Sequence, residues 1–260
     1  MLWSALAFSW LAGLFSLNKR AKAGTWRFSG VVECNVVETT ITCTGSGTLT
    51  QNIVREAGIY QTYTQAILSN ITGIAQQTFA DCINLNTVTL PNTLKTVGSS
   101  AFANCALTEI TIPSSVTSWN AMATNNCSEL TTYKVSGPGV YSVSGGILVN
   151  GSVLVSVGCG LKADSSLILP SGITELGQHC CRNCRMRSIS VPSGVTRIGS
   201  SAFYCCLNLV SLDLPATLTS FSTGALDGCR KITAITGLGN TKLYTQNGMM
   251  GVWDGATMRR

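Results

Sequence analysis

One feature limits this chain more than any other: the twelve-residue frame "VTRIGSSAFYCC", residues 195–206, occurs six times. The other copies lie at 71–82, 94–105, 116–127, 173–184 and 218–229. In the first three copies the closing cysteines Cys82, Cys105 and Cys127 are 23 and 22 residues apart, and in the last three Cys184, Cys206 and Cys229 are 22 and 23 apart. Between copies runs a second pattern of alternating apolar residues closed by proline: "LNTVTLP" ending at Pro91, "LTEITIP" at Pro113, "MRSISVP" at Pro192 and "LVSLDLP" at Pro215. Period two marks a strand with one buried face. A single unit of this length cannot bury that face by itself, so neighbouring units must stack. The spacing therefore predicts a strand-dominated repeat solenoid of the α/β-type class, with its strands side by side in a parallel sheet on one face.

The same alternation sorts side chains. Val88 and Leu90, Ile110 and Ile112, Ile189 and Val191, and Leu212 and Leu214 point inward. Their neighbours Thr87, Thr89, Glu109, Thr111, Thr132, Lys134, Ser188, Ser190, Ser211 and Asp213 point outward as a hydroxyl-rich ladder, the candidate partner-binding face. At the ninth place of the frame stand Phe79, Phe102 and Phe203, read as a wedge between two layers, with Thr124, Cys181 and Leu226 in the other copies. Ala101, Ala123, Ala202 and Ala225 precede that place, and a small residue there lets the return segment lie close.

A period of 22 to 23 residues falls in the leucine-rich repeat range. The frame resembles the BspA-like leucine-rich repeat family, whose unit I-G-x-x-A-F-x-x-C is followed by L-x-x-[IV]-x-[ILV]-P; "LKTVGSSAFANCALTEITIP" and "VTRIGSSAFYCCLNLVSLDLP" match at nearly every anchor. The resemblance covers roughly residues 41–260. Three copies depart from it: 116–127 carries Trp119, Asn120 and Thr124, 173–184 carries Cys180-Cys181 for Ala-Phe, and 218–229 carries Phe221-Ser222 for Ile-Gly. These copies are expected to pack less well.

The wider gap between copies three and four contains "YSVSGGILVNGSVLVSV" from Tyr141, echoed by "YTQNGMMGVWDGATM" from Tyr244. Asn150-Gly151 and Asp254-Gly255 flanked by alternating apolars signal hairpins. The resulting organisation is 1–23 signal peptide or signal anchor, 24–70 N-terminal β cap, 71–136 first repeat block, 137–166 protruding hairpin cassette, 167–238 second block, and 239–260 the start of a second, incomplete cassette.

The N-terminal reading rests on an apolar run from Leu2 to Leu17 and on Ala21-Lys22-Ala23, which fits signal-peptide cleavage. The run has 16 residues, short of the ~20 that a membrane span needs. A signal anchor, which would be the chain's membrane attachment, stays open beside it. Either reading sends the chain to the secretory route, secreted or at the cell surface. Sequons at Asn70, Asn126 and Asn150 are candidate glycosylation sites, with Asn150 at a hairpin tip and Asn126 shielded beside Cys127. Setting aside Lys19, Arg20 and Lys22 leaves 14 basic residues against 11 acidic, scattered rather than striped, so no nucleic-acid partner is expected.

Of 12 cysteines, six occupy one repeat place, where thiols stack as small buried apolars or donate weakly to the turn backbone. Cys34 and Cys43 flank "NVVETTIT", and a hairpin there brings them within bridging range, which makes them the disulfide candidate. Cys159, Cys180, Cys181 and Cys205 lie off the ladder. His179, Cys180, Cys181 and Cys184 have the spacing of half a zinc site, but the repeat already accounts for Cys181 and Cys184, and no metal or cofactor is assigned. The carboxylates stand singly, and no G-x-S-x-G or phosphate loop occurs. His179 is the only histidine and is expected at an exposed place on the return segment, so no catalytic residue is assigned either. The resemblance implies a non-enzymatic cell-surface or secreted recognition and adhesion protein whose sheet face binds an extracellular protein or glycan. The alternative is a structural extracellular spacer, or a truncated, non-binding fragment of a larger surface antigen.

Overall fold

The computed structural model describes the backbone of residues 25–27, residues 32–161, 166–222 and 224–237, and the backbone of the strands Lys242–Gln246, Met249–Trp253 and Met258–Arg259. The expected leader 1–23 lies outside the described residues, as do Asp254 and Gly255. Among the described residues no helix is long and apolar enough to cross a membrane.

The chain is a β-solenoid of stacked parallel coils. One ladder is formed by the alternating segments: Thr40–Thr44, Gln65–Ser69 and Thr87–Thr89 pair in parallel register, with Thr42 opposite Ile67 and Ile67 opposite Thr89. Glu109–Ile112 pairs with Thr132–Val135. In the second block Ser166–Ile168, Ser188–Ser190, Ser211–Asp213 and Ala234–Thr236 form a continuous four-stranded sheet. In the first block Thr87–Thr89 and Glu109–Ile112 belong to different sheets, so this ladder is divided there and not continuous as expected.

A second ladder, not anticipated from the sequence, runs through the dodecamers. Thr48–Leu49, Gly73–Ile74, Thr96–Val97 and Ser118–Trp119 form one parallel sheet. Glu175–Leu176, Arg197–Ile198 and Ser220–Phe221 continue another. Each strand has two residues, too few to display a period. The glycine of the frame follows directly, because the backbone there touches the preceding coil: a Cβ on Gly98 would stand 2.7 Å from Gln76 N, and one on Gly199 2.8 Å from Gln178 N.

The turns explain two further columns of the frame. Its seventh and eleventh places adopt left-handed backbone in almost every copy: Gln77 and Asp81, Ser100 and Asn104, His179 and Asn183, Ser201 and Cys205, Gly224 and Gly228. Asp, Asn and Gly tolerate that region best, which accounts for their recurrence at the eleventh place. The next residue is the ladder cysteine, turned inward.

Phe79, Phe102 and Phe203 are fully buried, and the first two rings stack at 5.5 Å and 4°. The third copy does not pack poorly, contrary to expectation. Thr124 replaces the phenylalanine, and Tyr133, from the strand that follows, fills the space and is itself fully buried. The Tyr133 hydroxyl meets Thr124 Oγ1 at 2.5 Å and Ser156 Oγ at 2.8 Å, so the polar atoms brought into the core are paired. Trp119 packs edge-on to the same ring at 6.4 Å.

The segment between the blocks does not protrude. Tyr141–Ser144, Ile147–Asn150 and Val153–Ser156 form an antiparallel meander whose last strand pairs in parallel with Glu175–Leu176, becoming a rung of the second ladder. Leu148 joins the core of the first block, while Ile147 and Val149 join that of the second, so one strand serves as a septum between two cores. The hairpin expected there is present, but burial of both faces keeps it within the stack instead of letting it project. The turn residues are Gly151 and Ser152, with Gly151 at φ 56°, one step later than an Asn-Gly turn would place them. The corresponding late strands Lys242–Gln246, Met249–Trp253 and Met258–Arg259 also form an antiparallel meander.

Candidate recognition faces

The ten outward residues chosen by alternation line up by register. Glu109 stands opposite Thr132 and Thr111 opposite Lys134. Ser188 faces Ser211, and Ser190 faces Asp213. Thr87, Thr89, Glu109, Thr111, Lys134 and Asp213 are exposed; Thr132, Ser188, Ser190 and Ser211 are half-buried. These residues fall on three sheets, with Thr87 and Thr89 on one, Glu109, Thr111, Thr132 and Lys134 on a second, and Ser188, Ser190, Ser211 and Asp213 on a third.

Several of these groups already have partners. Lys134 Nζ lies 2.6 Å from Glu109 Oε2 across neighbouring strands. Asp213 accepts hydrogen bonds from Thr236 Oγ1 at 2.8 Å and Ser190 Oγ at 3.5 Å, and Thr87 Oγ1 donates to Asn86 Oδ1 at 2.9 Å. Contacts between exposed groups of this kind contribute little to stability, so a ligand can displace them at small cost. The same face carries Ile168, 79% exposed, which is missing from the outward set drawn from the sequence. The signal is there: Ile168 sits between the inward Leu167 and Leu169, so alternation puts it outside.

Asn70, Asn126 and Asn150 are all exposed. Asn126 was expected to be shielded; its φ of 62° turns it away from the core while Cys127 turns in. Cys34 and Cys43 occupy directly opposed positions of the first hairpin and form a disulfide, with Cα atoms 4.1 Å apart.

The ladder cysteines are free thiols that stitch coils together. Cys105 Sγ donates to Phe79 O at 3.2 Å, Cys127 Sγ to Phe102 O at 3.0 Å, Cys206 Sγ to Cys181 O at 3.0 Å and Cys229 Sγ to Phe203 O at 2.9 Å. Burial pushes the Cys82 and Cys127 thiols up to about 12. Cys159, read as lying off the ladder, belongs to this interior: its thiol is buried and donates to Arg182 O at 3.4 Å. Gly158 and Gly160 flank it because a Cβ at either would collide with the backbone of Glu129 or Leu130. Among the described residues no group of three or more His, Cys, Asp or Glu side chains is placed to hold a metal ion. His179 is not exposed as expected but half-buried, and burial together with the Arg182 charge lowers its pKa.

The family model described as BspA type leucine rich repeat region matches residues 60–156 and 159–247, in six copies. No curated protein matches the chain. Among solved structures, the pneumococcal vaccine antigen PcpA is similar with TM-score 0.51 and 18% identity, over 70% of this chain and 55% of that one. A leucine-rich repeat protein from Eubacterium ventriosum gives TM-score 0.47 at 16% identity, over 82% and 84% of the two chains. A leucine rich cell surface protein from Faecalibacterium prausnitzii gives 0.40 at 15%, over 82% and 94%. At such identities the likeness is one of fold.

Proposed function

Because the chain belongs to the BspA-type leucine-rich repeat family, we propose that it is a non-enzymatic recognition protein, secreted or held at the cell surface, that binds an extracellular protein or glycan on the outward face of its first ladder. The observation that carries this reading is the outward column of exposed and half-buried hydroxyls aligned by register, in which the charges of Glu109 and Lys134 are paired with each other, so that it offers a partner hydrogen bonds and shape rather than a strong field. The Cys34–Cys43 disulfide and three exposed sequons are consistent with the secretory route. The test is the triple replacement Thr111→Ala, Lys134→Ala and Asp213→Ala, assayed against arrays of glycans and matrix proteins. Folding should be nearly intact, since surface changes usually cost within ~0.5 kcal/mol each, while binding seen with the wild type should be lost. The second reading, a spacer without a partner, is favoured by the Lys134–Glu109 and Asp213–Thr236 contacts, which let the face satisfy itself. Wild-type protein that binds nothing on either array selects the spacer.

A further inference from the structure

The second ladder of the first block carries a groove of about 450 Å³. One side is set by Thr48, Thr96 and Ser118, and the far end by Asn120, Gln178 and His179. Three of its features depart from the repeat. The column Thr96, Ser118, Glu175, Arg197 and Ser220 has a side chain in every coil, but in the coil between Thr48 and Thr96 that place is Gly73. Asn120 stands where Gly98, Gly177 and Gly199 serve three of the other coils, with Ala75 and Ser222 in the remaining two, and His179 stands at the place held by Ser100 and Ser201 in theirs. Packing asks for the repeat; departures that converge on one concave surface ask for another explanation.

The chemistry of the groove is uniform. A Cβ on Gly73 would lie 2.8 Å from Thr48 Oγ1 and 2.9 Å from Thr96 Oγ1, so these two groove-lining hydroxyls close over its buried backbone from either side. Among the described residues the Thr48, Thr96 and Ser118 hydroxyls have no partner in the protein, and all three residues are exposed. Trp119 is 5% exposed and lines the groove, and its Nε1 is a buried donor without a partner. His179 Nδ1 is a second such atom. Gln178 Nε2 lies 3.1 Å from His179 Nε2; with the amide donating, the neutral imidazole carries its proton on Nδ1, so both orphan atoms are N–H donors. No Asp, Glu, Lys or Arg lines the groove. The corresponding column of the second block is different, because there Arg197 Nη1 lies 3.8 Å from Glu175 Oε2 and the place is charged and spanned.

We propose that this groove binds a neutral saccharide: free hydroxyls, unpaired N–H donors and the absence of charge suit a ligand rich in hydroxyl and ring oxygens, in a site of the size that holds small molecules. The site is separate from the first-ladder face and does not rest on it.

The experiment is calorimetric titration of the full chain with three probes: triacetylchitotriose, maltotriose and an anionic uronic-acid trisaccharide. At least one neutral trisaccharide should bind and the anionic one should not. Gly73→Thr restores the residue type found at position 96 of the next coil but pushes the Thr48 and Thr96 hydroxyls off their places, so with an unchanged thermal melt it should weaken binding by at least about tenfold, the worth of one or two hydrogen bonds. The double variant Thr96→Ala, Ser118→Ala should weaken it similarly, and the indole N–H resonance of Trp119 should shift on titration of the wild type only. The Thr111, Lys134, Asp213 triple variant should bind the saccharide as the wild type does, which separates this site from the sheet face. Absence of binding by both neutral probes at millimolar concentration, unchanged affinity in Gly73→Thr, or preference for the anionic probe overturns the proposal.

Discussion

The coil 195–206 and the coil 116–127 solve one packing problem with different residues. In the first, Phe203 fills the space between the ladders and is fully buried. In the second, the wedge position holds Thr124, and the volume is returned by Tyr133 from the opposite strand, with its hydroxyl paired to Thr124 and Ser156. A solenoid core is therefore specified per layer and not per position: what one residue gives up, a neighbour across the layer supplies, provided that any polar atom brought in is hydrogen-bonded. Ser156 belongs to the meander between the blocks, so the exchange also ties that insert to the first block.

The largest effect that tests this contrast is Phe203→Ala, expected to cost ~3 to 5 kcal/mol as a large-to-small core change. Chemical denaturation measures it. A loss well below that range would show that the regular coil is as adaptable as the junction coil. Smaller, and specific to the junction, is Tyr133→Phe. It keeps the ring but strips Thr124 and Ser156 of their shared partner, for about 1 to 3 kcal/mol; an unchanged midpoint would mean that volume alone carries the exchange.

The smallest effect, taken over the first pH unit above the thiols' ordinary value, should be shared by both kinds of coil. Cys82 belongs to a wedge coil and Cys127 to the junction coil, yet burial raises both thiols to about 12, above their ordinary value. Between about pH 9 and that value the unfolded chain releases protons that the folded chain keeps. The stabilisation is thus complete below the unfolded pKa and is lost as pH rises, by about 1.4 kcal/mol per pH unit per thiol. Thermal melts between neutral and alkaline pH should show the decline, and Cys82→Ala and Cys127→Ala should each remove an equal part of it. Unequal parts would mean that the ladder senses the wedge.

Much of the fold was legible in the sequence because repetition multiplies a weak signal. Six copies align the strands at 109–112, 188–190 and 211–213, and alternation separates Ile110 and Leu212 from Thr111 and Asp213. The second ladder escaped because two residues carry no period. The residues of the proposed first face were legible by the same alternation. Their partners were not, because Lys134 and Glu109 lie 25 positions apart and meet only when the coils stack. Nothing local predicts that His179 is half-buried beside Gln178 in the groove, because that position comes from the junction of two blocks.

The sequence by itself determined the periodic part of this protein: the length of a coil, the inward and outward sets and the disulfide pair, all consequences of interactions close along the chain or repeated identically along it. The tertiary structure alone decided whatever depended on a place where the repetition breaks. There the meander between the blocks became a septum between two cores, Tyr133 took over for a missing phenylalanine, and Trp119, Asn120 and His179 came to line one groove. The physical reason is that a repeat is read against its own copies, whereas a departure acquires meaning only from the neighbours that stacking brings to it. Those neighbours are distant along this chain, as with Tyr133 and Ser156 at 23 residues and Asn183 and Asn125 at 58.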